Sequence, residues 1–407
     1  MMSRLPVGVG GGGLPGGGGD DGGPLWPSAG TVDMLASSLN SMTMSGSLSH
    51  KFRGSMGWAE MSLESRGGGS GGGGAGESGR VASLADFEPL KTVGAGLFGR
   101  VYLVRHKESN EVITVKVVRK EHVVASGQVA NLRREIEILS ALDSELAVMF
   151  VGSFQNLLNV YILTLYVPGG ELLTHLEAHG QFPPATAAFY TAEVAMFLLD
   201  LHATGIVYCD IKPENVLLDY SGHIRVCDFG FALFACDIDD MPPAPRGTPA
   251  YMAPEVAARG AVSFASDWWS LGILLCELVT GSTPFDHIGA PEEVLAAVAA
   301  VPDPVLLPDE LDAGVLDLLR VLLSVPPAGR LLDANQLRSQ PLFSHLDWDN
   351  LPASAAPLIP AVCGPTDTRY FADYEFDAYD WLERPLLPDG TEDISGHDPY
   401  RELFAEL

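Results

Sequence analysis

A single stretch narrows the fold and chemistry of this chain more than any other: Tyr208-Cys209-Asp210-Ile211-Lys212-Pro213-Glu214-Asn215-Val216-Leu217-Leu218, followed by Asp228-Phe229-Gly230. Together these residues carry a base, a cation and two oxygen ligands at the spacing that phosphoryl transfer needs. Asp210 can accept the proton of a hydroxyl nucleophile. Lys212 can neutralise charge on the phosphoryl group in flight, and Asn215 and Asp228 can hold magnesium across phosphates. Alone, Asp-x-Lys-x-x-Asn is a modest signal. It becomes a strong one with Asp-Phe-Gly after it and a glycine-rich loop and a lysine before it, in that order.

The glycine-rich loop is Gly94-Ala95-Gly96-Leu97-Phe98-Gly99-Arg100-Val101, after a strand opening at Phe87. Rossmann turns share Gly-x-Gly-x-x-Gly, but there a helix follows. Here the next segment, Val101–Val104, reads as a strand. That favours a β-hairpin lid over ATP phosphates, with glycines allowing close backbone approach. The strand Val112–Val118 carries one charge, Lys116, between Val115 and Val117. Burying it is costly without a partner. Glu135 and Glu137, on a helix around Asn131–Leu139, are the two candidates.

Further on, Val160–Val167 reads as a strand running into a break at Pro168-Gly169-Gly170. Thr186–His202 has helical periodicity. Trp268–Thr280 reads as a core helix preceded by Ser266-Asp267. His175 and His179 share a helix face, but no third ligand is evident, so they read as solvated surface.

Residues 1–82 form a Gly/Ser-rich arm whose runs Gly10–Gly13, Gly16–Gly19 and Gly67–Gly74 argue for disorder. Val32, Leu35, Leu39 and Met42 fall on one helical face within it, a pattern that chance also produces. The formal net charge is −28. It disfavours nucleic acid and anionic membranes and favours basic partners. The five cysteines are scattered without a CxxC, which suits a reducing compartment. No apolar run follows Met1 to suggest a signal peptide, none is long enough to span a bilayer, and Gly is not at position 2.

These motifs resemble those of a eukaryotic protein kinase. Finer matches are Glu171-Leu172-Leu173-Thr174-His175-Leu176, Asp228-Phe229-Gly230-Phe231-Ala232, Gly247-Thr248-Pro249-Ala250-Tyr251-Met252-Ala253-Pro254-Glu255, Asp267-Trp268-Trp269-Ser270-Leu271-Gly272 and the tail from Gly364 to Tyr374. They are similar to the cAMP-dependent member of the AGC group. The resemblance covers roughly residues 84–407.

It implies an α+β fold of two lobes. A β-rich small lobe at 83–167 and a helical large lobe at 168–344 make a kinase domain, and 345–407 make a C-terminal tail. It implies ATP and Mg2+ as cofactors. Asp210, Lys212, Lys116 and Glu135 would be catalytic, with Glu135 preferred over Glu137 because it precedes Leu139 by four residues. Asn215 and Asp228 would hold the metal. Val93, Gly94, Ala95, Gly96, Leu97, Phe98, Gly99, Arg100, Val101, Thr114, Lys116, Thr164, Leu165, Val167, Glu171, Glu214, Leu217 and Cys227 would surround the nucleotide. Glu171, Glu214 and Glu277 would bind arginines ahead of the phosphoacceptor, and Pro249 and Met252 would receive the residue after it. Phe404 and Leu407 would dock in the small lobe beside the Glu135 helix, and Phe371 and Tyr374 would approach the nucleotide. The substrates expected are basic proteins with Arg before Ser or Thr, handled by a monomer in the cytoplasm, with the nucleus also open.

The chain departs from the family at linked positions. Cys209 stands where most relatives have Arg, Ala244 where they have a phosphorylatable Thr, Leu233 where they have a basic residue, and Asn131 where they have His. A phosphate and its three cationic ligands are thus missing together. Between Asp228 and Glu255 the only hydroxyls are Thr248 and Tyr251. A phosphate switch needs both halves, so the segment reads as independent of phosphorylation, stiffened by Pro242, Pro243 and Pro245. That proline-rich segment also speaks against a cAMP-binding regulatory subunit as partner. Thr114 replaces a small residue at the adenine ceiling, and Ala250 replaces a Glu near the peptide. Cys209 and Thr114 leave open the alternative of a pseudokinase or scaffold that binds nucleotide or a partner with little turnover. Ser83, in Arg80-Val81-Ala82-Ser83-Leu84, reads as a helix cap ahead of a phosphorylation site.

Overall fold

Strongly β-prone residues from Phe87 onward build a five-stranded antiparallel sheet in the order β1-β2-β3-β5-β4. The computed structural model describes residues 83–96, 99–258, 262–303, 305, 307–308, 310–330, 334–381, 398–405 and 407. The arm 1–82 with its helical pattern, and Leu97 and Phe98 of the glycine-rich loop, lie outside the described residues. The strands are β1 (Phe87–Gly96), β2 (Gly99–His106), β3 (Val112–Arg119), β4 (Phe150–Gln155) and β5 (Asn159–Leu165). Two helices, α1 (Lys120–Ala125) and α2 (Val129–Ala141), cross between β3 and β4.

Period-2 alternation explains the sheet. Val115, Val117, Tyr102 and Tyr161 are fully buried on one face, while Lys116 and Thr114 point to the other. β1 and β2 pair from Phe87↔His106 to Gly96↔Gly99, so the glycine-rich segment is a hairpin and no helix follows it. Gly99 is required by the sheet itself: a Cβ there would come within 1.7 Å of the Val117 carbonyl oxygen.

The large lobe is mainly helical: α3 (Leu172–His179), α4 (Pro184–Ala203), α5 (Pro254–Ala257), α6 (Phe264–Thr280), α7 (Pro291–Ala299), α8 (Ala313–Leu322) and α9 (Ala334–Arg338). Short strands β6 (Ile206–Val207), β7 (Val216–Leu218), β8 (Ile224–Val226) and β9 (Leu233–Phe234) frame the catalytic stretch. β7 pairs with β8 and β6 with β9, both antiparallel. Among the described residues no helix is long and apolar enough to cross a membrane.

Two expectations are corrected here. Helix α6 begins at Phe264, not Trp268, because the Ser263 amide donates to Ser266 Oγ at 3.2 Å and opens the helix early. Ser266 and Asp267 therefore lie in its first turns. His175 is not solvated surface: it is 7% exposed, bonded at Nε2 to the Gly169 carbonyl (2.8 Å) and packed on Tyr370, 4.9 Å between ring centres. His179 is exposed.

The tail crosses back over the small lobe. Phe404 is fully buried, and Lys120 Nζ sits 5.3 Å from its ring centre. Gln155 Nε2 donates to the carbonyls of Phe404 (2.7 Å) and Leu407 (2.9 Å). Arg133 of α2 donates to the Leu403 carbonyl at 2.6 Å.

Candidate active site

Three elements bring the charged side chains together. β3 carries Lys116, α2 carries Glu135, and the segment after β8 carries Asp228. Lys116 Nζ lies 2.6 Å from Glu135 Oε1 and 3.1 Å from Asp228 Oδ1. Glu137, the competing partner, is exposed. Burial works against the Lys116 charge, but Asp228 and Glu135 outweigh it and raise the ammonium's pKa. Lys116 in turn holds the Asp228 carboxyl below its ordinary range. Asp228 is half exposed and donates nothing, so it keeps acceptor capacity for a cation.

Asp210 is 2% exposed and hydrogen-bonded at both carboxylate oxygens. Its Oδ2 accepts from Asn215 Nδ2 at 2.8 Å and lies 3.0 Å from Lys212 Nζ. Its Oδ1 accepts from Thr248 Oγ1 at 2.7 Å, and Lys212 Nζ also donates to that hydroxyl at 2.8 Å. Asp210, Lys212, Asn215 and Thr248 thus form one hydrogen-bonded network. Gly247, at φ +103°, lets this happen: a Cβ there would stand 2.2 Å from the Cys209 carbonyl oxygen.

Two non-glycine residues hold left-handed backbone here, Cys209 (φ +70°) and Asp228 (φ +54°). Each conformation costs on the order of 1–3 kcal/mol and persists only where neighbours impose it. For Cys209 the neighbour is Asp267, whose carboxylate accepts from the Tyr208 and Cys209 amides, both at 2.8 Å, and from His202 Nε2 at 2.8 Å. For Asp228 it is the fully buried Phe229, 5.3 Å from Tyr208 and 6.2 Å from Phe197, ring centre to ring centre.

The cleft between the lobes has Val93 and Val167 buried, with Leu165 and Leu217 half-buried beside them. Thr114 Oγ1 turns to β5, 2.7 Å from Thr164 Oγ1 and 3.1 Å from the Thr164 carbonyl. Burial pushes the Cys227 thiol up, so it stays neutral. Tyr166 donates to the Asp367 carbonyl at 2.6 Å, and Phe371 packs on its ring at 5.6 Å. Tyr374 is exposed. Arg100 does not face the cleft alone; its guanidinium is bound by Asp377 of the tail at 2.6 Å.

An acidic patch lies beside the catalytic loop. Burial raises the Glu171 pKa, aided by the charges of Glu214 and Glu177. Glu214 Oε2 is buried without a hydrogen-bond partner. Glu277 is 7% exposed and accepts from the Tyr251 hydroxyl at 2.6 Å. Pro249 is half-buried and Met252 buried nearby.

Sequence reasoning missed two arginines. Arg134 of α2 donates to Asn131 Oδ1 at 2.9 Å and reaches Asp237 of the activation segment at 3.7 Å. Arg246 is half-buried, its pKa lowered by burial and by the neighbouring Arg134 charge, and it lies beside the Cys209 thiol. Positive charge has thus moved to new positions around Cys209. A scan for basic residues near the family positions, and not only at them, finds both.

The donor set suits a magnesium nucleotide. Among the described residues no cluster of three or more His, Cys, Asp or Glu can hold a metal alone. Mg2+ with a nucleotide needs only one or two protein oxygens, the phosphates supplying others, and Asp228 and Asn215 offer that number.

Comparison with known proteins agrees with this geometry. A family model described as the protein kinase domain matches residues 87–343. The chain is 39% identical over 72% of its length to the serine/threonine-protein kinase YPK1 of Saccharomyces cerevisiae, covering 43% of that protein. It is 36% identical over 74% of its length to the human cAMP-dependent protein kinase catalytic subunit PRKX, covering 84% of it. It is 34% identical over 80% of its length to yeast cAMP-dependent protein kinase type 3, covering 79%. Against the YPK1-like relatives it spans about half their length or less. With the two-lobed architecture and the motifs in their places, the chain belongs to the protein kinase family, in its AGC group of serine/threonine kinases.

Proposed function

We propose that the protein transfers the γ-phosphoryl group of ATP to Ser or Thr in protein substrates that carry arginine ahead of the phosphoacceptor. The observation that carries this is the Lys116 bridge between Glu135 and Asp228 beside an Asp210–Asn215–Lys212 network already closed. Bound Mg-ATP supplies the phosphoryl group. The chain's own residues do the positioning. Lys116 presents a fixed ammonium to phosphate oxygens, and Asp228 and Asn215 present oxygens to the metal. Asp210 accepts a hydrogen bond from the substrate hydroxyl and takes its proton as the nucleophile forms, while Lys212 offsets the charge that develops.

The arginine preference is supported by the acidic patch. Burial, assisted by the charge of Glu214, raises the pKa of both Glu171 and Glu277, a cost that a guanidinium relieves. Independence from activation-segment phosphorylation is supported by the lack of a hydroxyl outside Thr248 and Tyr251 and by the Arg134–Asp237 contact. All five cysteines are free, in keeping with a cytoplasmic setting, where we take the protein to act as a monomer.

The test is transfer from Mg-ATP to a peptide with two arginines before a serine, comparing wild type with Asp210→Asn. Transfer that the substitution abolishes is expected. ATP binding without transfer in the wild type would favour a scaffold.

A further inference from the structure

Ser83 stands where the Gly/Ser-rich arm joins the small lobe, and two observations meet on it. The first is its sequence. In Arg80-Val81-Ala82-Ser83-Leu84, Ser83 is the only Ser or Thr of the chain with an arginine three residues before it, and an apolar residue follows directly. That order matches the proposed substrate site. It offers a guanidinium to the acidic patch, a hydroxyl to Asp210 and an apolar side chain to Pro249 and Met252.

The second is how the stretch is fastened. The Ser83 amide donates to Asp86 Oδ2 at 2.8 Å, and its hydroxyl donates to the same oxygen at 3.2 Å. The Asp86 amide donates in return to the Ser83 carbonyl at 3.0 Å. These bonds close a 3-10 turn, Leu84–Asp86, ahead of β1. Leu84 is buried with Phe87 and Phe154 in the outer core of the small lobe. Lys107 Nζ donates to the Ala85 carbonyl at 2.7 Å, and the Lys107 amide donates to the Asp86 carbonyl at 2.9 Å. Ser83 thus caps the turn, as its sequence predicts, in a latch of a few bonds and one leucine.

One chain cannot place this serine in its own active site. Gly94 pairs with Val101, and Val101 with Lys116, so the catalytic end of the hairpin lies there. Phe87, at the opposite end of β1, is roughly 23 Å of strand away. Ser83 lies beyond Phe87, so reaching Asp210 of the same chain would strip β1 from the sheet. A second copy can take the segment as soon as the latch opens, with the sheet intact.

We propose that Ser83 is a self-modification site, phosphorylated by a second copy of this chain, and that the phosphate keeps the Leu84–Asp86 latch open. The inference rests on the arginine-directed reading of the active site. Asp210 of the catalysing copy takes the Ser83 hydroxyl proton. The bond from Ser83 Oγ to the γ-phosphorus of ATP forms, the bond from that phosphorus to the bridging oxygen breaks, and ADP leaves. The product carries roughly two negative charges on the oxygen that lay 3.2 Å from Asp86 Oδ2. Like charges then oppose closure of the cap, and Leu84 loses its seat in the core.

The experiment mixes the full wild-type chain with an isotope-labelled full chain carrying Asp210→Asn as acceptor, in Mg-ATP with the two-arginine peptide present, and reads Ser83 by mass spectrometry. Phosphate on Ser83 of the acceptor is expected, at an initial rate proportional to wild-type concentration, with none when the acceptor is alone. Arg80→Gln in the acceptor is expected to slow that transfer about tenfold, the loss of one charge-assisted contact, and to leave peptide transfer unchanged. In the modified protein, hydrogen exchange at 84–90 is expected to rise and the melting temperature to fall by about 2–4 °C, the loss of one cap. A phosphorylated peptide with Ser83 bare, or an Arg80→Gln acceptor modified at the full rate, would overturn the site and leave the proposed activity standing. Unchanged exchange at 84–90 in the modified protein would overturn the opening of the latch. A peptide and a Ser83 that both stay bare would count against the proposed activity and the site together.

Discussion

Asp267 Oδ1 accepts a hydrogen bond from the backbone amide of Cys209 at 2.8 Å, so the residue before Asp210 is held by its main chain. Asp267 is fully buried and also binds the Tyr208 amide and His202. Cys209→Ala is therefore expected to keep the rate of peptide phosphorylation within about threefold, because the amide bond survives. Asp267→Ala, which orphans two buried amides, is expected to abolish activity and lower the melting temperature. Steady-state kinetics and thermal melts on both variants check this; a Cys209→Ala enzyme that is dead would show that the thiol itself is needed.

Glu277 makes a pH prediction. Burial pushes its pKa up to about 7 from an ordinary 4.5, with the Tyr251 hydrogen bond opposing and the charges of Glu214 and Asp286 assisting. The folded value lies above the unfolded one. Its contribution to stability is thus complete below the ordinary value and is lost as pH rises through about 7. A substrate arginine reverses the shift, so binding it expels a proton. The KM for an arginine peptide is expected to fall by up to about tenfold between pH 6 and 8, and Glu277→Gln is expected to flatten that dependence. An undiminished slope in the variant would remove Glu277 from arginine binding.

Phe404 ties the tail end to the small lobe. Its ring is fully buried, beside Lys120, which is itself buried and paired with Asp398 at 2.7 Å. Truncation to Ala is expected to cost on the order of 3–5 kcal/mol of docking. Exchange in α2 should rise and activity fall, because Arg133 on that helix loses its hold on Leu403. Exchange across 129–141 that stays at the wild-type level would show that the tail end does not brace the Glu135 helix.

Arg330 and Glu255 form a buried fork, with contacts of 2.6 and 2.8 Å, and the guanidinium packs over Trp269 at 5.0 Å. Arg330 also donates to the carbonyls of Ser324, Ala265 and Val325. Removing one partner strands a buried charge, so Arg330→Met is expected to destabilise by about 3–5 kcal/mol. Arg330→Lys should recover little, since an ammonium cannot fill a fork. Urea unfolding of the two variants decides; near-full recovery by Lys would mean that charge alone matters there.

Much of this architecture was legible in the residues, and the reasons differ by case. Lys116 stood alone in an apolar strand, so a carboxylate partner was needed; Glu135 and Glu137 were the candidates, and the resemblance to kinases favoured Glu135. The hairpin was legible because β-prone residues flank the glycines on both sides. The catalytic loop was legible because phosphoryl transfer restricts the order of its side chains. The Arg100–Asp377 ion pair was not, since the two residues lie 277 positions apart and no local pattern links them. His175 was misjudged because the Tyr370 ring that packs on it comes from the distant tail. Arg134 and Arg246 escaped notice because their nearness to Cys209 and Asp237 comes from the folding of α2 against the activation segment and not from any local pattern.

The measurement that tests the central claim most directly is phosphate transfer by protein stripped with phosphatase, with the mass of the segment 228–255 read before and after turnover. The account predicts full transfer to the two-arginine peptide with no phosphate between Asp228 and Glu255, and loss of that transfer in Asp210→Asn. An enzyme silent after phosphatase treatment, and revived when a phosphate returns to that segment, would contradict it.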